Sequence, residues 1–200
     1  MATPSDSTAQ IIVRAALECL EQHGLGGMTV RKIAMHAKVN VAAINYHFGS
    51  KEKLLEQVFD LATTNAFGDL DQFVNAESAE GLEQQLYQFL LHYAGGLAQY
   101  PNVSKVMLHQ IMSSPQGQNI VAQRLETFLE KLNQHIAKLY QSHPTDFAIR
   151  FKTMQIMSVF MCLGMIPNTF NHALAINTQD QKNREQLIKA FLQDLHPISL

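Results

Sequence analysis

The chain has no tryptophan, only two cysteines, and only 16% charged residues among its 200. With 46% hydrophobic residues, that scarcity of charge excludes a disordered chain and fits a globular protein with much helix interior and a sizeable core. Cys19 and Cys162 lie far apart, form no CxxC and have apolar neighbours, so both read as buried thiols of a reducing compartment. The opening MATPSDSTAQ lacks the basic and apolar regions of a signal peptide. The most apolar run, Ile156 to Pro167, is shorter than the roughly 20 residues of a bilayer crossing. The expectation is a cytoplasmic protein with no membrane partner. Period-two alternation, internal repeats and low-complexity linkers are also missing. So are the usual marks of an enzyme. There is no GxSxG and no phosphate loop, and GLGG follows a helix end, not a strand. No two of the nine histidines stand three or four residues apart, which removes a helical histidine pair for a metal. No catalytic residue, metal or cofactor is expected.

Charge is instead distributed unevenly. Between Thr29 and Lys53 stand Arg31, Lys32, Lys38, Lys51 and Lys53 against Glu52 alone, although the whole chain carries a formal net charge of -2. From Leu54 to Ser104 there is no lysine or arginine, while Glu56, Asp60, Asp69, Asp71, Glu77, Glu80 and Glu83 are all acidic. A basic head abuts an acidic middle, which directs one end of the molecule toward polyanions.

Helical periodicity runs throughout and predicts an all-α fold of about nine helices. Ser7 or Asp6 caps a first helix carrying Ile12, Ala16, Cys19 and Leu20 on one face, stopped by Gly24. Thr29 caps a second, with Ile33, Ala34 and Ala37 inward. Val39 and Ile44 carry that face into a third, Val41 to Phe48. Gly49 breaks the chain, and Ser50 caps a long fourth helix through Leu54, Leu55, Val58, Leu61 and Ala62. Further helices are expected from Ser78 to Leu97, ended by Pro101, from Val103 to Met112, closed by an SSPQG turn, and from Gln118 to Gln141, closed by Pro144. Asp146 caps one running to about Phe170 with a bend near Pro167, and the last spans Asp180 to Leu195.

The stretch Thr29–Leu55 meets the demands of a helix-turn-helix. A small residue is needed where the helices cross, an apolar one after the turn and an apolar anchor in the second helix. Ala34, Val39 and Ile44 supply them, and Phe48 belongs to the core of the head. The outer face of a helix entering a major groove about 12 Å wide should be lightly built. Ala42 and Ala43 let the backbone approach, and their methyls can touch thymine methyls. The Asn45 amide can pair with adenine, and Tyr46 and His47 reach phosphate or a base edge. Lys51 opens the fourth helix, where the dipole already favours an anion.

The segments TVRKIA and VNVAAINYHFGSKEKLL resemble the TetR family of transcriptional regulators over roughly the first quarter of the chain. The resemblance implies a three-helix DNA-binding head over residues 1–50 and a helical ligand-binding and dimerisation domain over residues 51–200. It implies DNA contacts by Thr29, Arg31, Val41, Ala42, Ala43, Asn45, Tyr46, His47 and Lys51. Lys38 stands where many members have glycine in the turn; a left-handed lysine there costs on the order of 1 kcal/mol. The partners implied are a palindromic double-stranded operator, a small-molecule effector and a second copy of the chain.

The sequence of the body speaks chiefly through residues 147–170. Their apolar positions form two stripes. One holds Ile149, Ile156, Val159, Phe160, Leu163 and Ile166, the other Phe151, Met154, Met157, Met161 and Met165. A helix apolar nearly all round is buried on both sides, one side against its own domain and the other against a partner. With the last helix it predicts a C2 homodimer built on a four-helix bundle, its two heads about 34–36 Å apart. The plain reading of the methionines is core packing. The functional reading is an adaptable pocket for an apolar or amphipathic effector, shared with Phe89, Tyr93, Met107 and Met112, with His109, Asn168 or Asn171 as polar contact. The acids of the middle segment could mark a cationic ligand, but most fall on outward helical positions and read as a solvated face. The expected activity is repression relieved by a small molecule. An activator of the same fold, or a helical interaction protein that does not bind DNA, are the alternatives.

Overall fold

The computed structural model describes residues 7–67, 79–113 and 119–193. Within them lie ten helices and no strand. They are α1 (Thr8–Gly27), α2 (Val30–Ala37), α3 (Val41–Phe48), α4 (Lys51–Phe67), α5 (Ala79–Gln99), α6 (Pro101–Ser113), α7 (Ile120–Leu139), α8 (Phe147–Met165), α9 (Pro167–Leu174) and α10 (Gln181–Gln193). The all-α expectation holds. The tenth helix arises at Pro167. Ile166 leaves helical geometry at φ -131° and ψ 46°, and the proline, lacking an N–H, starts α9 at its first position. What reads in sequence as one bent helix to Phe170 is therefore two. The expected Ser78 cap and the SSPQG turn from Ser114 onward lie outside the described residues.

The chain divides into two compact units, one drawing on Met1–Asn65 and Asn102–Gln123, the other on Ala66–Pro101 and Arg124–Leu200. In the first, α1 begins with a capping box. The Ser7 hydroxyl accepts from the Gln10 N–H at 3.3 Å while the Gln10 side chain accepts from the Ser7 N–H at 2.8 Å. Its predicted inner face, Ile12, Ala16, Cys19 and Leu20, is fully buried. Gly24 takes φ 65° and ψ 174° and kinks the helix there. That positive φ is open to glycine at little cost.

In the second unit, α5, α7, α8 and α10 share one core. Leu86, Phe89, Leu90 and Tyr93 meet Phe128, Leu132, Ile136, Ile149, Ile156, Phe160 and Ile188. Aromatic rings fill its middle, with Phe67 stacked on Phe128 at 4.7 Å and Phe89 on Tyr93 at 5.9 Å. Gly164 lets α5 approach α8 closely: a Cβ there would lie 2.7 Å from the Leu97 side chain.

The surroundings of α8 correct three sequence expectations. Asp146 precedes the helix but makes no side-chain cap. Its carboxylate accepts from the Ser142 hydroxyl at 2.6 Å and the His143 N–H at 3.0 Å, which together hold its pKa below the ordinary carboxylate value. Cys162 is exposed, not buried, because it faces away from the core that Phe160 and Gly164 enter. The apolar segment is also longer than Ile156–Pro167. By length and composition α8 is apolar enough to cross a bilayer, but Ile149, Lys152, Thr153, Ile156, Met157, Phe160 and Gly164 are buried inside the protein.

Candidate nucleic-acid interface

The head is assembled by caps. The Thr29 hydroxyl accepts from the Lys32 N–H at 3.3 Å and starts α2. Lys38 ends it in the left-handed region at φ 56° and ψ 40°, so the conditional cost of a lysine in this turn applies, about 1–2 kcal/mol. Reversal is completed by the Val39 N–H, which donates to Ala34 O at 3.0 Å. Asn40 then caps α3, its Oδ1 accepting from the Ala43 N–H at 2.7 Å. That cap was readable in advance, since an asparagine directly before the first helical residue is a strong N-cap.

The third helix has one buried residue, Ile44, which pins it to the core formed by Ile33, Ala34 and Ala37. Val41, Ala42, Asn45, Tyr46 and His47 are exposed, and Ala43 is half-buried. One anchor and an outer face of small and hydrogen-bonding side chains suit a helix that docks into a groove. Tyr46 is 86% exposed, and its ring meets that of His47 edge-on at 5.3 Å. Phe48 is half-buried, at the margin of the head's core.

The cations differ in freedom. Arg31, Lys38 and Lys53 are exposed, while Lys32 and Lys51 are half-buried. The Lys51 ammonium donates to Met28 O at 2.7 Å, and that of Lys32 to Gly27 O at 3.0 Å. Lys51 therefore closes the α1–α2 connection with one of its three N–H groups, which leaves two for an anion. The Ser50 hydroxyl caps α4 through the Lys53 N–H at 3.2 Å. Met35 is 73% exposed on α2, and nothing in the sequence pattern marks it.

The residues expected to line an effector pocket do not share one environment. Phe89, Tyr93 and Met157 are buried in the core of the second unit, with Met161 packed against it. Burial raises the Tyr93 phenol above its ordinary pKa. Met154 and Met165 are 57% and 38% exposed, because their side of α8 faces away from α5. Met107 and Met112 belong to the first unit, and Met112 is 69% exposed. The polar contacts considered, His109, Asn168 and Asn171, are exposed. A cleft in the second unit, lined by Leu97, Phe160, Leu163, Thr178, Arg184 and Leu187, encloses about 10 Å³, room for about one water.

Residues 12–58 match the family model described as "Bacterial regulatory proteins, tetR family". The chain is 32% identical over 84 residues to "Probable HTH-type transcriptional regulator YttP" of Bacillus subtilis, a match covering 42% of this chain and 41% of that protein. It is 33% identical over 72 residues to the HTH-type transcriptional regulator BetI 1 of Chromohalobacter salexigens, covering 36% and 34%. The matched region thus spans well under half the length of these curated relatives. Among solved structures, the chain is similar to the transcriptional regulator FadR of Bacillus subtilis in complex with stearoyl-CoA. That likeness has a TM-score of 0.69 and 18% identity, covering 92% of this chain and 96% of that one. It is also similar to the TetR family transcriptional regulator PfmR of Thermus thermophilus, with a TM-score of 0.67 and 16% identity, covering 95% and 96%. At these identities the likeness is one of fold.

Proposed function

We propose that this chain, which belongs to the TetR family of bacterial regulatory proteins through residues 12–58, is a ligand-responsive transcriptional repressor that binds a palindromic operator as a cytoplasmic homodimer. The observation that carries the reading is α3, whose one buried residue is Ile44 and which exposes Val41, Ala42, Asn45, Tyr46 and His47. Ala42, Ala43 and Asn45 would read base edges, and Val41 would pack against them. Thr29, Arg31, Tyr46, His47 and Lys51 would position the head on phosphates. The head over residues 1–50 would be the reader, and residues 51–200 would supply dimerisation and control.

Two features support the rest. The outward stripe of α8, with Phe147, Met154 and Met165 exposed, is an apolar face suited to a symmetry mate, and α10 would complete the bundle. FadR of Bacillus subtilis was solved with stearoyl-CoA, a precedent for an amphipathic effector on this fold. The effector would be apolar or amphipathic, and the described cleft would have to open to admit it. If it binds the DNA-incompetent arrangement more tightly, it lowers operator affinity by the same factor, typically about 1–3 kcal/mol of coupling. An activator would use the same chemistry at an operator placed differently.

Selection from a random duplex pool, followed by binding measured against salt, tests the reading. A palindromic site should be enriched, with a steep log–log salt slope, and Arg31→Ala should flatten that slope by about two units per dimer. A flat slope in the wild type would leave a helical interaction protein.

A further inference from the structure

Cys19 and His23 of α1 and His36 of α2 come together. Cys19 and His23 are one helical turn apart on α1, hence on one face, and His36 arrives from the last turn of α2. Among the described residues, the Cys19 sulfur and a ring nitrogen of each histidine all lie within 4.8 Å of one another. The two imidazoles stand edge to face with centroids 6.0 Å apart. Burial falls outward across the group: Cys19 is fully buried, His36 half-buried and His23 exposed. The Gly24 kink follows directly on His23, and a Cβ on Gly27 would lie 3.1 Å from the His23 Cβ.

We propose that Cys19, His23 and His36 form a three-donor site for a zinc-class transition ion in the head. One thiolate and two imidazoles suit Zn²⁺, whereas Mg²⁺ and Ca²⁺ demand oxygen ligands. Zn–S near 2.3 Å and Zn–N near 2.0–2.1 Å put tetrahedral donors about 3.3–3.6 Å apart. Drawing the donors inward by about 1 Å achieves this through side-chain rotation of two histidines at or near the surface. Three donors, one of them the exposed His23, would leave a fourth position for water, so the site would be open and exchangeable, unlike a closed structural zinc site. Binding releases the thiol proton, and the thiolate reduces the charge added by the dication to one. Burial holds the Cys19 thiol above its ordinary pKa, against the opposing pull of Lys32 and Lys51, and both lysines, tied to Gly27 O and Met28 O, oppose the cation, which keeps affinity moderate. A bound ion would clamp α1 to α2, the frame on which α3 is carried.

Co²⁺ is the probe, since it gives a thiolate charge-transfer band in the near ultraviolet. The full-length protein should bind one Co²⁺ per chain with that band, and Zn²⁺ should displace it. Cys19→Ser should abolish the band. Because Cys19 is fully buried, His23→Ala and His36→Ala provide independent tests, each expected to weaken Co²⁺ binding at least about tenfold with the far-ultraviolet dichroism unchanged. Binding without the band, histidine variants that bind as tightly as wild type, failure of Zn²⁺ to compete, or retention of Cu⁺ alone would each overturn the proposal. None of these readouts involves DNA.

Discussion

The Glu21 carboxylate on α1 accepts the backbone N–H groups of both Asn102, at 3.0 Å, and Val103, at 3.0 Å. The two residues stand at the start of α6, whose first N–H groups lack partners within the helix. Asn102 returns the contact by donating its amide to Glu21 O at 2.7 Å. A negative charge at a helix N-terminus adds a favourable dipole interaction to the hydrogen bonds. This lock joins residues 81 positions apart in sequence, within one compact unit.

Replacing that carboxylate should therefore be felt as a lost cap. Glu21→Ala is expected to destabilise the protein by about 1–2 kcal/mol, while Glu21→Gln, which keeps an acceptor but no charge, should lose less. Urea denaturation of the three proteins orders them; an alanine variant as stable as wild type would mean the bond contributes nothing.

Lys38 offers the opposite sign. Its left-handed φ of 56° costs a side-chain-bearing residue about 1–2 kcal/mol, part of which glycine recovers against its own greater unfolded-state freedom. Lys38→Gly should stabilise the head by about 0.5–1 kcal/mol. A lowered melting temperature would show that the lysine side chain contributes more than the backbone conformation costs.

His135 is expected to make the second unit acid-sensitive. It is 1% exposed, one ring nitrogen lies 3.0 Å from Leu82 O, and Nδ1 has no partner among the described residues. Burial lowers its pKa below 6.5, with Lys138 adding to that and the Leu82 bond opposing it. A depressed folded-state value means that the unfolded chain takes up the proton first. The stability is thus fully present above about 6.5 and is lost as pH falls from there through the folded-state value. Denaturation measured across that window should show the loss in wild type and a smaller one in His135→Gln, whose amide can still donate to Leu82 O. Identical profiles would remove His135 as the cause.

The outward stripe of α8 can be tested by charge. Met154 is 57% exposed and Phe147 76% exposed, and Phe147 stacks on Phe151 at 6.1 Å on the same helix. If this face meets its symmetry mate, Met154→Glu buries two unpaired carboxylates about the dyad. The dimer dissociation constant should then rise at least tenfold, equivalent to about 1.4 kcal/mol. Sedimentation velocity at several concentrations reads this directly. An unchanged distribution would move the dimer face elsewhere.

Local rules made much of this protein legible in its sequence. The helices of the head were readable because their caps and breaks are local events: Ser7, Thr29 and Ser50 each cap a backbone N–H three residues on, and Gly24 and Gly49 adopt positive φ. The outward face of α3 was readable because a single apolar anchor, Ile44, fixes the orientation of the whole helix. Tertiary structure decided what depends on which helices become neighbours. Periodicity showed that α8 is apolar nearly all round, but only packing divided its methionines, burying Met157 and exposing Met154 and Met165. The Lys51 ammonium spends one N–H on Met28 O because folding brings residues 23 positions apart together. The same holds for Glu21 on α6 and for Cys19 with His23 and His36. A search for paired histidines could not find that group, because its close pair in sequence is a cysteine and a histidine and its third member comes from another helix.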